Sequence, residues 1–207
     1  MNTVETTAVT PEQVAKATMR LVFPHGVANL TIRANESMSD AYRGEFYGPQ
    51  PSVTQADGVI SIDYPRFNPF IWGRTSAAVT LRPSVVWVIE IRGGVAHWDG
   101  DLRQLQVAAI DVRGGVSKVE LRLPEPAGVV PIRVSGGVSH LTLQRPGTVP
   151  ARIRIGGGAS KLELDTQFLG AIGGPVRLET PDYSRGDGGK YDLEIGGGAS
   201  KVTIKRD

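Results

Sequence analysis

The sequence predicts an all-β chain wound as a single-domain parallel β-solenoid, and three observations carry that prediction. A short glycine-rich motif recurs at nearly constant spacing. Each copy sits between two runs of alternating apolar and polar residues. Helical periodicity is almost absent.

The clearest copy of the motif is Gly115-Val116-Ser117-Lys118-Val119-Glu120-Leu121. Others begin at Gly94, Gly137, Gly158 and Gly198, and a sixth opens at Gly26. Successive copies from Gly94 to Gly158 lie 21, 22 and 21 residues apart. The step from Gly158 to Gly198 is 40 residues, close to two units, and that from Gly26 to Gly94 is 68, close to three. Each glycine pair follows an Ile- and Val-rich alternating run, as in Val88-Ile89-Glu90-Ile91, Ala109-Ile110-Asp111-Val112 and Arg152-Ile153-Arg154-Ile155. Such alternation marks a half-buried strand. The unit is therefore strand, Gly-Gly corner, strand and turn, in rungs of about 21 residues.

Stacked rungs place like residues in columns about 4.8 Å apart. The predicted core columns are Ile91, Val112, Val134, Ile155, Ile195; then Trp98, Val119, Leu141, Leu162, Val202; then Leu121, Leu143, Leu164, Ile204. Small residues (Ala28, Ala96, Ser117, Ser139, Ser160, Ser200) recur beside the glycines and suggest a tight inward corner. The expected organisation is a flexible tail over 1–16 and a β-solenoid domain over 17–207. Its N-terminal part, 17–87, is degenerate and aromatic-rich, and its repeats are regular over 88–207. Thr10-Pro11-Glu12-Gln13 has a capping-box-like start, but the alternation Ala17, Met19, Leu21, Phe23 predicts a strand soon after it. The final strand, Lys201-Val202-Thr203-Ile204-Lys205, is read as an open end able to pair with a second copy.

Composition narrows the chemistry. There is no cysteine, which excludes disulfides, thiolate nucleophiles and cysteine-based metal sites. Three histidines and a net charge of +2 speak against a large histidine metal centre and against specific nucleic-acid binding. No transmembrane segment and no leader with a basic start and apolar run are seen, so a full-length chain of this sequence is expected in the cytoplasm. The Gly-Gly-Gly-Ala-Ser-Lys copies lead into strands, whereas a phosphate loop leads into a helix. Ser139 and His140 are neighbours on a strand and point to opposite faces, which argues against a catalytic pair. Asp99-Gly100-Asp101 and Arg185-Gly186-Asp187 suit turns.

Two surfaces are candidates for binding. The position after the small residue reads His97, Lys118, His140, Lys161 and Lys201, a cationic stripe with the first four expected in consecutive rungs. It suits a polyanion or polysaccharide, and its histidines add charge in mildly acidic solution. The second is aromatic: Tyr64, Phe67, Phe70 and Trp72, flanked by arginines, could stack on sugars or instead cap the solenoid edge. On the other strand of each rung, Asp111 is expected to face Arg133 and Arg154.

The segments Gly157–Leu164 and Gly197–Ile204, with Arg122–Gly128 and Gly173–Pro181, resemble the bacterial adhesin-like toast-rack families of β-solenoid domains. The resemblance runs from about residue 17 to the end and implies the fold, with no catalytic residues to transfer. The expected function is a non-enzymatic structural or interaction module, needing no cofactor or metal, that binds a protein partner or self-assembles. An anion- or carbohydrate-binding adhesin-like domain is the alternative. A carbohydrate-active β-helix enzyme is a remote one, since it needs paired carboxylates that the sequence does not display.

Overall fold

The computed structural model describes residues 18–64, 75–185 and 188–207. All regular structure among them is strand. The chain enters sheet A as β1 (Thr18–Phe23), turns at Gly26, and crosses to sheet B as β2 (Val27–Ala34). It then reverses through β3 (Tyr42–Tyr47) in sheet B and β4 (Ser52–Ala56) in sheet A, each antiparallel to its neighbour. The dipeptide Asp57-Gly58, with φ of 50° and 73°, closes a two-residue hairpin. The forward direction resumes with β5 (Val59–Asp63) and β6 (Ser76–Leu81).

Four regular rungs follow, each a sheet A strand and then a sheet B strand. They are β7 (Val86–Ile91) and β8 (Val95–Asp101), β9 (Gln106–Val112) and β10 (Val116–Arg122), β11 (Val129–Val134) and β12 (Val138–Arg145), and β13 (Ala151–Ile155) and β14 (Ala159–Leu164). A second reversal makes β15 (Gln167–Leu169) and β16 (Val176–Glu179), antiparallel to β14 and β13. The last rung is β17 (Lys190–Ile195) and β18 (Ala199–Arg206). The result is two nine-stranded, mostly parallel sheets whose inner faces share one apolar core.

All members of the three predicted columns are buried, so the repeat identified the core correctly. The order of the rungs differs from the simple coil. The strand order of sheet A is β16-β13-β17-β11-β9-β7-β1-β5-β4, and sheet B follows the same plan. The first rung lies between the second and third, and the last rung lies between β11/β12 and β13/β14. Gaps of 40 and 68 residues are therefore not whole numbers of rungs. Each contains a reversed pair of strands that caps one end of the stack.

Two further corrections follow. Strand β18 is not an open end: it pairs with β12 on one side and β14 on the other. The serines at the corner do not point inward. Ser117, Ser139, Ser160 and Ser200 are exposed, and the inward position is the preceding residue, as at Val116, Val138, Ala159 and Ala199. Two successive residues, such as Ser117 and Lys118, both face solvent before alternation resumes at Val119, a kink that the stacked strands share because the register runs through it unshifted; Ser139 and His140 are likewise both exposed and do not point to opposite faces.

The first glycine of each corner is required by clearance. None of Gly93, Gly114 and Gly136 has a positive φ. A Cβ on Gly114 would lie 2.5 Å from the backbone of Gly93 and Gly94, and one on Gly136 would lie 2.7 Å from the Gly114 carbonyl oxygen. Backbone therefore stacks directly on backbone along this corner. One rung also exchanges volumes. Trp98 occupies a position held by valine or leucine elsewhere, and Gly100 stands in register with Leu121. A Cβ at Gly100 would lie 2.6 Å from Leu121 Cδ2 and 3.3 Å from Trp98 Nε1, so the indole fills the space that glycine leaves.

Candidate binding faces

Register on sheet B assembles the cationic stripe. His97 pairs with Lys118, Lys118 with His140, His140 with Lys201, and Lys201 with Lys161. Five adjacent strands thus carry one row of basic side chains, continued by Asn29 beside His97. The order corrects the expected one: Lys201 stands between His140 and Lys161 because β18 is inserted between β12 and β14. All five side chains are exposed. Among the described residues only Lys118 has an acidic partner, Glu120 at 3.5 Å. Lys161 lies over the ring of Phe168, 5.6 Å from its centroid.

The neighbouring outward column reads Thr31, Asp99, Glu120, Thr142, Thr203 and Glu163. Asp99 is taken by Arg33 at 3.0 Å. A shallow depression of about 240 Å³ lies between the two columns, lined by Asn29, Thr31, His97, Trp98, Asp99, Lys118 and Glu120. Asp99-Gly100-Asp101 is the end of β8 and not a turn. Its Asp101 accepts from Arg103, 2.6 Å from NH2, and lies 4.0 Å from Arg122. The Arg103 hydrogen bonds hold its carboxyl below the usual range.

The aromatic surface does not form as expected at Tyr64. That side chain is buried, its hydroxyl donates to the Ser76 carbonyl oxygen at 2.8 Å, and burial pushes its pKa up to about 12. Phe67, Phe70, Trp72, the 1–16 tail and the Gly186-Asp187 part of the Arg-Gly-Asp segment lie outside the described residues.

The outer face of sheet A is a charge lattice that sequence reasoning only glimpsed. Asp111 does stand beside Arg133 in register. Arg154 is remote from it and pairs instead with Asp192 at 3.1 Å and Glu194 at 3.2 Å, because β17 separates β11 from β13. Arg152 also holds Asp192, at 2.6 Å, and lies 4.5 Å from the Tyr183 ring centroid. Burial raises the Asp192 pKa, but the two arginines outweigh it and the carboxyl titrates below normal. At the end of β12, Arg145 is fully buried. It donates to the Val149 carbonyl and to Asp165, both at 2.5 Å, and Arg206 shares the same Asp165 oxygen at 3.0 Å.

Comparison with known proteins bears on this architecture. The family model described as the N-terminal domain of toast_rack, DUF2154, matches residues 2–144. The chain belongs to the toast-rack family. The toast-rack match ends within β12, so it covers the first reversed cap and all rungs up to β11/β12. A similar solved structure is the crystal structure of a putative cell adhesion protein from Clostridium sporogenes. It superposes with a TM-score of 0.71 at 18% identity, covering 96% of each chain. At that identity the likeness shows the fold alone. No curated protein matches the chain. Among the described residues no helix is long and apolar enough to cross a membrane, and no group of three or more His, Asp or Glu side chains is placed to hold a metal ion.

Proposed function

We propose that this toast-rack domain is a non-enzymatic interaction module whose sheet B binds an extended polyanion, of the acidic-polysaccharide class, laid across the strands. The observation that supports this reading is the row His97, Lys118, His140, Lys201 and Lys161 on five adjacent strands, with one acidic partner among the described residues. Lys201 and Lys161, on adjacent strands about 4.8 Å apart, repel one another, and a ligand with repeated negative charge relieves that repulsion. The rigid double-sheet frame keeps the row ordered before binding, which lowers the entropic cost of association. The exposed threonines and acids of the next column supply hydrogen-bonding groups for sugar hydroxyls.

The test is titration with polygalacturonate, with neutral dextran as control. The expected result is salt-sensitive binding to polygalacturonate alone, weakened at least tenfold in a Lys118→Gln, Lys161→Gln, Lys201→Gln triple variant. Equal binding by the variant would sink the reading. Self-association through the terminal strand, the other expectation, loses its basis, since β18 has a neighbour on both sides.

A further inference from the structure

On the outer face of sheet A, three arginines converge on one buried carboxylate. The Glu90 side chain, on β7, is 3% exposed. Arg20 of β1 pairs with its Oε2. Arg92 Nε reaches Oε1 at 2.9 Å and Arg113 NH2 reaches the same oxygen at 3.0 Å. The three guanidinium side chains remain 47%, 47% and 55% exposed. Among the described residues they have no other side-chain acceptor.

The charge count does not balance. One carboxylate needs one bidentate arginine, and this one gathers three. The nearest other charges in register are Asp111, beside Glu90, and Arg133, beside Asp111, one of each sign. The cluster therefore keeps a surplus of two positive charges. A guanidinium carries five N–H donors, so most of each fork stays unused. The buried carboxylate fixes the arginines without itself being open to solvent. That is the arrangement of a preorganised anion site: charged donors held by a supporting group that an incoming anion does not meet.

We propose that Arg20, Arg92 and Arg113, positioned by Glu90, bind a tetrahedral oxyanion, a phosphate or sulfate group. The site is on the face opposite the sheet B row and does not depend on it.

The experiment follows the arginine Nε–Hε resonances of the intact protein by NMR. Inorganic phosphate and sulfate are titrated at ionic strength held constant with sodium chloride. The expected result is a saturable shift of the Arg20, Arg92 and Arg113 resonances, with a Kd on the order of 1 mM, and none in chloride alone. Arg113→Gln weakens binding roughly tenfold, the loss of one charge-assisted hydrogen bond, and Lys118→Gln on the other face leaves it unchanged. Non-saturating shifts, or an Arg113→Gln variant that binds as well as the parent, would overturn the proposal. A polyphosphate arm distinguishes the source within it. Tighter binding at the same three resonances marks a polymer-borne group, and equal or weaker binding marks the free ion.

Discussion

The glycine corner makes the sharpest prediction, because two adjacent glycines there should answer differently to the same substitution. Alanine at Gly114 places a Cβ 2.5 Å from three backbone atoms of the next rung. Ordinary contact begins near 3.4 Å, so the strands must part by about 0.9 Å. At this corner they are held by Arg113 N–H donating to the Ile91 carbonyl at 2.8 Å and Gly114 N–H donating to the Gly93 carbonyl at 3.2 Å. Opening the gap breaks the second of these, a loss of about 1 kcal/mol. Overpacking against rigid backbone adds about 1–3 kcal/mol. The expected cost of Gly114→Ala is therefore about 2–4 kcal/mol. At Gly115 the nearest atom is the Gly137 carbonyl oxygen at 3.5 Å, an ordinary contact, and φ is not positive. Gly115→Ala should be neutral, or stabilise by about 0.4–1 kcal/mol through the unfolded state. In a chain of this size the two variants should melt roughly 5–15 °C apart. Urea unfolding monitored by circular dichroism and tryptophan fluorescence gives the comparison directly. Equal destabilisation by both would refute the reasoning, since the corner would then require glycine for its backbone conformation and not for clearance.

Other substitutions probe the polar and apolar fittings. Asp165→Asn leaves the buried Arg145 charge uncompensated and should cost about 3 kcal/mol, whereas removal of the half-exposed Arg206 should cost under about 1 kcal/mol; urea midpoints separate the two. Burial raises the Glu90 pKa, but the hydrogen bonds from Arg92 and Arg20 outweigh it and the folded value lies below the unfolded one, as at Asp192. That stabilisation is fully present above about pH 4.5 and is lost as pH falls through the folded values, so melting temperature should drop on the acid side. The Glu90→Gln variant should lose part of that acid limb, and an unchanged limb would count against the assignment. Trp98→Val and Gly100→Leu should each destabilise alone, the first by a cavity and the second by a clash. Together they restore the Val119 and Leu121 pattern, and a double-mutant cycle should show recovery of more than about 1 kcal/mol.

The sequence carried the core because inward positions repeat with the strand period, and every column residue it singled out is buried. It did not carry the order of the rungs. Ile155 and Ile195 are the same residue with the same flanking glycines, so nothing in the columns says which stacks on Val134; the structure chooses Ile195. Neighbouring rungs join through backbone hydrogen bonds, which are blind to such exchanges. The reversals were legible in part. Asp57-Gly58 between two alternating runs is a strong hairpin signal, and reading it would have shown that the 68-residue gap holds a change of direction. Of the two readings of the aromatic segment, the burial of Tyr64 excludes exposed stacking for that side chain, and its hydroxyl reaches the Ser76 carbonyl of another strand, a partner no local pattern names. The stripe residues do share one outward row, in an order that follows the rungs rather than the chain. The convergence of Arg20, Arg92 and Arg113 on Glu90 joins strands 70 residues apart in sequence, and no local pattern announces it.

The way the ends are closed bears on where a partner can bind and on how long it can usefully be. Both terminal rungs are interior, and reversed strands cap each end of the stack. The row of basic side chains therefore has a fixed length, four steps between five strands, or about 19 Å at about 4.8 Å per step. A polyanion shorter than that leaves part of the row unneutralised. A longer one finds no further cation in this row and gains only the statistical advantage of several equivalent registers. Affinity for acidic oligosaccharides of increasing length should rise steeply until the chain spans the row and then level off, and calorimetry on a size-fractionated oligogalacturonate series reads this directly. Affinity that keeps rising steeply well beyond about 19 Å would mean that copies assemble along the ligand, a mode of binding for which capped ends provide no continuous surface.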